Sequence, residues 1–170
     1  MSNLQAAVRA FASEAARPGE LCELVNAVLC GHIAEGRFIS FVYCVADSEL
    51  GTLSYANAGH FPPVLVKASG SVVRLSAGGP VLGVIPGSPY EAETVSFGPG
   101  DRLILYTDGI TEAANGAEEM FGEDRLLELA VAERTCSAPA LQSRLIDAVV
   151  SFSGRRFADD ATLMVLAADN

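Results

Sequence analysis

Two acidic positions in this sequence lie where apolar segments meet loops, the usual location of catalytic and metal-binding side chains. Asp108 follows the apolar run 102–106, and Asp159 and Asp160 come just before the apolar run 161–167. If the two runs are neighbouring antiparallel strands, the end of one lies beside the start of the other, and these carboxylates meet at one edge of a sheet. Neighbouring carboxylates repel unless a proton or a cation lies between them. Such hard oxygen ligands favour Mg²⁺ or Mn²⁺ over zinc.

A purely structural role explains the same residues. Asp108-Gly109 is a common turn sequence, and an Asp-Asp pair before a strand is often a solvated loop. His60, which follows a glycine near a predicted strand end, can act as a general acid because its pKa lies near neutrality, or can complete a loop hydrogen bond. His32, at a helix exit, is a weaker candidate. The local sequence leaves both interpretations open.

Composition and charge exclude several classes of protein. Half of the 170 residues are hydrophobic and only 19% are charged, which excludes an intrinsically disordered chain. Eleven Lys and Arg against 21 Asp and Glu give a net charge of −10, so the basic surface that binds nucleic acid is absent and anionic membranes repel the chain. The sequences G-x-x-x-x-G-K-[ST], G-x-S-x-G and H-E-x-x-H do not occur, which disfavours P-loop, α/β-hydrolase and zincin chemistry.

The start of the chain and its cysteines predict a cytoplasmic protein. The first residues carry no basic cluster followed by an apolar block, so we expect no signal peptide. The longest apolar runs have the length of strands and fall far short of the roughly 20 residues that span a bilayer. The four cysteines lack C-x-x-C and zinc-type spacings, which predicts free thiols in a reducing compartment; they are Cys22, Cys30, Cys44 and Cys136.

The spacing of apolar residues predicts a single α+β domain over residues 1–170. Helical periodicity indicates a helix over residues 4–15 and a second helix that begins at Pro18. Strands are predicted at residues 38–46, 52–57, 64–67, 72–75, 90–97 and 102–106, and residues 77–89 are a Gly- and Pro-rich passage around the short apolar run 81–85. Tight turns between the strands predict antiparallel pairing. Two helices follow, after Gly122 and after the N-cap Ser137, and the final strand 161–167 is expected inside a sheet covered on both faces.

Five short motifs occur in a fixed order along the chain. They are Tyr-Ala-Asn-Ala-Gly-His-Phe-Pro-Pro at 55–63, Gly-Pro-Val-Leu-Gly at 79–83, Gly-Asp-Arg-Leu-Ile-Leu-Tyr-Thr-Asp-Gly-Ile-Thr-Glu-Ala at 100–113, Phe-Gly at 121–122, and Asp-Asp-Ala-Thr at 159–162. Over essentially its whole length, the chain resembles the SpoIIE/RsbU-type branch of the PPM (PP2C-like) serine/threonine phosphatases. The resemblance implies an α-β-β-α sandwich of antiparallel sheets flanked by helices.

The same resemblance implies a chemistry and a site. It implies a two-metal centre with Mn²⁺ or Mg²⁺ and direct hydrolysis of phosphoserine or phosphothreonine by water, without a phosphoenzyme. Asp108, in the Thr-Asp-Gly motif, and Asp159, the first acid of the Asp-Asp-x-Thr motif, match family metal ligands. Asp160 occupies the neighbouring position, where a supporting contact is expected more than direct ligation. His60 matches a signature position to which no catalytic role is transferred. The implied substrate is a phosphorylated anti-anti-sigma (STAS-type) protein of bacterial partner switching.

The chain departs from the family pattern at one motif. The family centre also uses an earlier Asp-x-x-Gly-His-Gly motif whose Asp bridges the metals, and the 170 residues do not contain it. Residues 1–10 resemble the helix that follows this motif, so we expect the chain to begin inside the domain, without its first strands. Two hypotheses follow: a metal-dependent phosphatase domain that is incomplete at its N-terminus, or a non-catalytic remnant that binds a regulatory partner.

Overall fold

The elements of the chain follow the α-β-α order that the sequence predicts. The computed structural model describes residues 2–13, 15, 17–34, 36–154 and 157–168. In chain order, the elements are α1 (Ser2–Phe11), α2 (Pro18–Cys30), β1 (Phe41–Asp47), β2 (Thr52–Ala58), β3 (Val64–Val66), β4 (Val72–Arg74), β5 (Gly78–Gly79), β6 (Glu93–Ser96), β7 (Arg102–Tyr106), α3 (Asp108–Thr111), α4 (Gly122–Ala132), α5 (Ala138–Ser153) and β8 (Leu163–Ala167). They divide into two compact units, Met1–His60 with Leu75–Phe97 and Phe61–Arg74 with Gly98–Asn170.

In the first unit, helices pack on a mainly antiparallel sheet. Helix α2 begins with Pro18 in its first turn, where the missing N–H costs no hydrogen bond. Its apolar face is fully buried against β2 through Leu21, Cys22, Val25 and Leu29. Strand β2 pairs antiparallel with β1 and β6 and makes a two-residue parallel pair with β5. The antiparallel prediction is therefore confirmed for the hairpin, with β5 as a short exception.

In the second unit, α4 and α5 cover a four-stranded antiparallel sheet in the order β4-β3-β7-β8. Helix α5 follows the N-cap Ser137, as predicted, although the hydroxyl makes no capping hydrogen bond. Its apolar residues recur every four positions, at Leu141, Leu145 and Val149, so they form one fully buried stripe. This packing fixes β7 in the interior of the sheet and sets the position of its C-terminal end.

The prediction for the final strand is wrong in one respect. In the described part of the chain β8 lies at the end of the strand order, and exposure alternates along it, with Met164 at 48% and Leu166 at 37%. Leu163, by contrast, is buried in the core that includes α5. A run of apolar residues can occur in a strand that is covered on one face or on both. The sequence pattern therefore could not show that only one face of β8 is buried. The predicted strand 90–97 is shorter, Glu93–Ser96, and the run 81–85 is a turn with one bridge from Leu82 to Ile39.

The cysteines are free thiols, as the sequence predicts. Burial, and then the neighbouring Glu23 carboxylate, raises the pKa of Cys22 to about 12, and burial raises the pKa of Cys44 to about 11. Such thiols are poor nucleophiles because little thiolate forms near neutral pH. Within the residues described, every helix is too short or too polar to cross a bilayer.

Candidate metal-binding site

The register of β7 and β8 brings the two acidic segments to one edge of the second unit's sheet. The strands are antiparallel neighbours, with Tyr106 opposite Leu163 at that edge. One residue further along, the amide of Thr107 donates to the carbonyl oxygen of Thr162 at 3.0 Å. The strand pairing on which the predicted acidic cluster depends is therefore confirmed, and it extends to the residue next to Asp108.

The side chain of Thr107 joins the same two segments a second time. Its Oγ1 donates to the carbonyl oxygen of Asp160 and accepts a hydrogen bond from the amide of Thr162, both at 2.9 Å. One hydroxyl thus satisfies a donor and an acceptor of the loop that enters β8. Threonine provides this bifunctional group on a β-branched side chain that suits a strand end.

Gly109 lets the backbone of α3 approach the backbone of the loop before β8 more closely than any residue with a Cβ would allow. It is buried in α3, and a Cβ there would lie 2.7 Å from the carbonyl oxygen of Asp160 and 3.2 Å from the Cα of Ala161. Both neighbours are backbone atoms, so they cannot rotate away as a side chain would. The Thr107 hydrogen bonds and this glycine contact together hold the Asp108 backbone against the Asp159–Asp160 loop.

The three carboxylates at this edge are at least partly exposed, and in the described part of the chain none of them forms an ion pair. Asp108 is half-buried and its Oδ1 accepts from the amide of Gly109 at 2.9 Å. Asp159 and Asp160 are exposed, and Oδ1 of Asp159 accepts from the amide of Asp160 at 2.7 Å. None of the ion pairs among the described residues includes any of the three. This acidic edge, formed by Asp108, Asp159 and Asp160, therefore concentrates negative charge that a cation would neutralise.

The donor set suits a hard divalent cation but is incomplete in the described residues. Carboxylate oxygens are the ligands that Mg²⁺ and Mn²⁺ prefer. Within the described ranges, however, no three or more His, Cys, Asp or Glu side chains converge closely enough to hold a metal ion. Asp108 and Asp159 can supply part of a coordination shell, and the described residues do not form the whole two-metal centre.

The two histidines lie in the first unit and have different surroundings. The main chain of His60 is held by Asn57, whose Oδ1 accepts from the His60 amide at 2.8 Å and whose Nδ2 donates to its carbonyl at 2.9 Å. His32 is exposed, and its Nδ1 lies 2.7 Å from the carbonyl oxygen of Val28 one helical turn earlier. This contact gives His32 a structural role. For His60 the structure shows how the loop is held, and a catalytic role stays a prediction.

Three residues near the acidic edge were missed by reasoning from the sequence. They are Thr107, Gly109 and Glu123 at the start of α4. Glu123 accepts a hydrogen bond from the Tyr106 hydroxyl at 2.9 Å and a bidentate pair from Arg74, whose Nε donates to Oε1 and whose Nη2 donates to Oε2. Burial, and then the hydrogen bond to Glu123, raises the pKa of Tyr106 above its ordinary value. This network fixes the end of β7 from the side of α4. Tyr106 and Glu123 are 17 positions apart in the sequence, so no local pattern indicated that they are in contact. The Thr-Asp-Gly turn was the local sequence feature that pointed to this site.

Comparison with known proteins places the chain among phosphatase domains. The family model of stage II sporulation protein E (SpoIIE) matches residues 1–169. Phosphoserine phosphatase RsbU of Bacillus subtilis is 26% identical over 168 residues, which are 98% of this chain and 50% of RsbU. The chain spans half or less of the length of the curated relatives that it matches.

Solved structures with the same fold cover nearly all of the chain. The SiaA-PP2C domain of Pseudomonas aeruginosa matches with a TM-score of 0.85 at 18% identity, over 99% of this chain and 68% of that one. The phosphatase domain of the cell fate determinant SpoIIE from Bacillus subtilis, presoaked with manganese, matches with a TM-score of 0.70 at 15% identity, over 99% and 74%. These likenesses confirm the predicted α+β, PP2C-like fold. Because the family model covers essentially every residue, the chain belongs to the SpoIIE family of PP2C-like phosphatase domains.

Proposed function

We propose that this chain is part of a bacterial, cytoplasmic, metal-dependent protein serine/threonine phosphatase that acts on a phosphorylated anti-anti-sigma (STAS-type) protein. The observation that carries the proposal is the acidic edge, where backbone contacts hold Asp108 beside the Asp159–Asp160 loop and no base among the described residues neutralises them. The relation to the phosphoserine phosphatase RsbU supports a substrate that contains phosphoserine, and the STAS-type protein is the substrate that the family resemblance of the sequence motifs implies.

Each carboxylate has a separate part in this proposal. Asp108 and Asp159 would hold the divalent ion, and Oδ1 of each accepts a hydrogen bond from the following amide. Asp160 supports the loop through its backbone, since its carbonyl accepts from Thr107. Bound Mn²⁺ or Mg²⁺ would orient water and neutralise phosphate charge during phosphoryl transfer. Without a cation, a chain of charge −10 repels a dianionic phosphate.

A second candidate function is a non-catalytic binding module of the same fold. Two observations favour it: the 170 residues contain no Asp-x-x-Gly-His-Gly motif, and the described residues hold no group of three ligating side chains. A domain with this fold and only part of a metal shell could retain a binding surface for a regulatory protein. The two candidates differ in metal affinity and in turnover.

Calorimetry with Mn²⁺ and hydrolysis of p-nitrophenyl phosphate separate them. The 170-residue chain should bind Mn²⁺ weakly, because water must complete most of the shell, and should turn over barely above background. A chain extended upstream to include an Asp-x-x-Gly-His-Gly segment should gain Mn²⁺-dependent activity on p-nitrophenyl phosphate and on a phosphorylated STAS-type protein.

Matched variants of the extended chain locate the site. Asp108→Asn should abolish the Mn²⁺-dependent gain while the circular dichroism spectrum is retained. Asp147→Asn removes the same charge at an exposed position of α5 that is not one of the three edge carboxylates, and it should leave activity intact. Tight binding of two ions by the 170-residue chain would contradict the incomplete shell. An extended chain that remains inactive would favour the binding module.

A further inference from the structure

A cavity of about 370 Å³ opens in the second unit directly beside the acidic edge. Among the described residues, its lining is apolar except for the two neighbouring acids of the loop before β8. These lining residues are Ile110, Ile146, Val149, Val150, Phe157, Asp159, Asp160, Ala161 and Leu163. This volume lies within the range of small-ligand pockets. It can hold one large side chain with some of its backbone. Apart from Asp159 and Asp160, the lining residues have no part in the proposed hydrolysis.

The walls of the cavity differ sharply in exposure. Ile110, Val149 and Leu163 are almost completely buried and belong to the core of the unit. Ile146 and Phe157, in contrast, are 38% and 39% exposed. Ile146 follows Leu145 of the buried α5 stripe, so it sits at the border of that stripe. Apolar side chains exposed around a concave apolar surface are typical of a binding site, whereas single exposed ones elsewhere need no explanation.

We propose that this cavity binds a bulky aliphatic side chain of the phosphoprotein substrate, one or two residues from its phosphorylated serine or threonine. The inference rests on the proposed function, because Asp159 lines the cavity and is also a proposed metal ligand. An extended peptide advances about 3.3 Å per residue. A side chain one or two positions from a phosphate at the acidic edge therefore reaches the adjoining cavity.

Charge disfavours a second copy of this chain as the occupant. The chain carries a net charge of −10, and two of its acids, Asp159 and Asp160, line the cavity and would meet any other acidic surface there. A substrate segment that brings an aliphatic side chain and few acidic ones avoids that repulsion. The cavity would thus select the sequence around the phosphorylated residue, while the acidic edge selects the phosphate through its cation.

Peptide binding measured by fluorescence anisotropy tests the inference without depending on turnover. The probes are phosphoserine peptides with leucine at one of the two positions on either side of the phosphoserine, and an otherwise identical peptide with serine there. They are titrated with the 170-residue chain in the presence of Mn²⁺. Burial of one leucine side chain predicts about tenfold tighter binding for at least one leucine peptide.

Two variants and a control show whether the cavity is responsible. Ile146→Ser and Phe157→Ser remove apolar surface from exposed positions at the mouth and should abolish the tenfold preference. Val73→Ser removes a side chain of equal exposure, 38%, from β4 of the same unit, outside the cavity, and should keep it. Thermal unfolding of each variant checks that the fold is unchanged.

The outcomes distinguish this inference from the proposed function. Equal affinity for leucine and serine peptides, or a preference that survives in both mouth variants, overturns the cavity assignment even if the extended chain is an active phosphatase. A leucine preference that is lost in the variants, combined with an extended chain that never hydrolyses phosphate, supports the cavity and overturns the phosphatase proposal. Self-association that Ile146→Ser abolishes would assign the cavity to a second copy and overturn the inference.

Discussion

Gly109→Ala tests whether close backbone contact holds the acidic edge together. The added methyl group would lie 2.7 Å from the carbonyl oxygen of Asp160 and 3.0 Å from its carbonyl carbon. The backbone conformation of Gly109 suits alanine, because this residue lies in α3 and does not have a positive φ. Any loss of stability therefore comes from the clash, which must push the loop before β8 away from the end of β7.

The size of the effect follows from the contacts that this shift disturbs. Overpacking of a filled site costs about 1–3 kcal/mol. Moving the loop also weakens the two hydrogen bonds of the Thr107 hydroxyl, each of which contributes about 1 kcal/mol. Alanine has a higher helix propensity than glycine, which stabilises the folded chain by about 1 kcal/mol and offsets part of this loss. We expect the free energy of unfolding to fall by about 2–4 kcal/mol.

Urea unfolding of the 170-residue chain measures this change, with Gly116→Ala as the matched control. A Cβ at Gly116 meets nothing within 4 Å, and its φ is not positive, so the control should stay within about 0.5 kcal/mol of the parent chain. If Gly109→Ala changes the free energy of unfolding no more than the control does, Gly109 is not in tight contact with the loop before β8, and the geometric basis of the acidic edge is wrong.

Three further changes probe the second unit. Thr107→Val leaves the carbonyl of Asp160 and one amide without their partner and should lower the free energy of unfolding by about 1–2 kcal/mol in urea. Burial alone would raise the pKa of Asp101, but hydrogen bonds from Lys67 and two amides hold it below its ordinary value. Its stabilisation is therefore complete above about pH 4 and lost as the pH falls below that, and Asp101→Asn should flatten the acid limb of a stability profile between pH 2 and 5. Asp108→Asn should leave the melting temperature in EDTA unchanged or slightly raised, because a repelling charge is removed, and should abolish any rise on addition of Mn²⁺.

Periodicity predicted the elements of the fold where each element has a single apolar face. The helix after Ser137 is an example, because Leu141, Leu145 and Val149 recur every fourth residue and indeed form its buried stripe. The final strand shows where this reasoning fails. Its run of apolar residues suited a strand covered on both faces. Met164 is exposed because its face of the strand is not covered among the described residues. Which faces are covered depends on the packing of distant elements, and a local sequence pattern carries no information about that packing.

The acidic site could be predicted only in outline. The ends of two apolar runs indicated which carboxylates approach one another, because antiparallel pairing is a strong constraint. The residues that hold Asp108 against the Asp159–Asp160 loop could not be recognised from the sequence in the same way. Thr107 and Gly109 read as ordinary turn residues, and their contacts with the Asp159–Asp160 loop join positions more than fifty residues apart. Contacts at such separations follow from register and packing, which emerge only in the folded chain.

The way in which the acidic edge is held has a consequence for its chemistry. Three features position Asp108 and the loop before β8. They are the hydrogen bonds of the Thr107 hydroxyl, the backbone amide that donates to it, and the close backbone approach that the absence of a Cβ at Gly109 permits. All of these groups are neutral, and among the residues that the structure describes no ion pair joins the carboxylates of the loop to a base. Carboxylates held in this way stay available to a cation, which would offset any repulsion between them. Folding and cation binding then become largely separate steps, and the free energy of binding is not needed to assemble the edge.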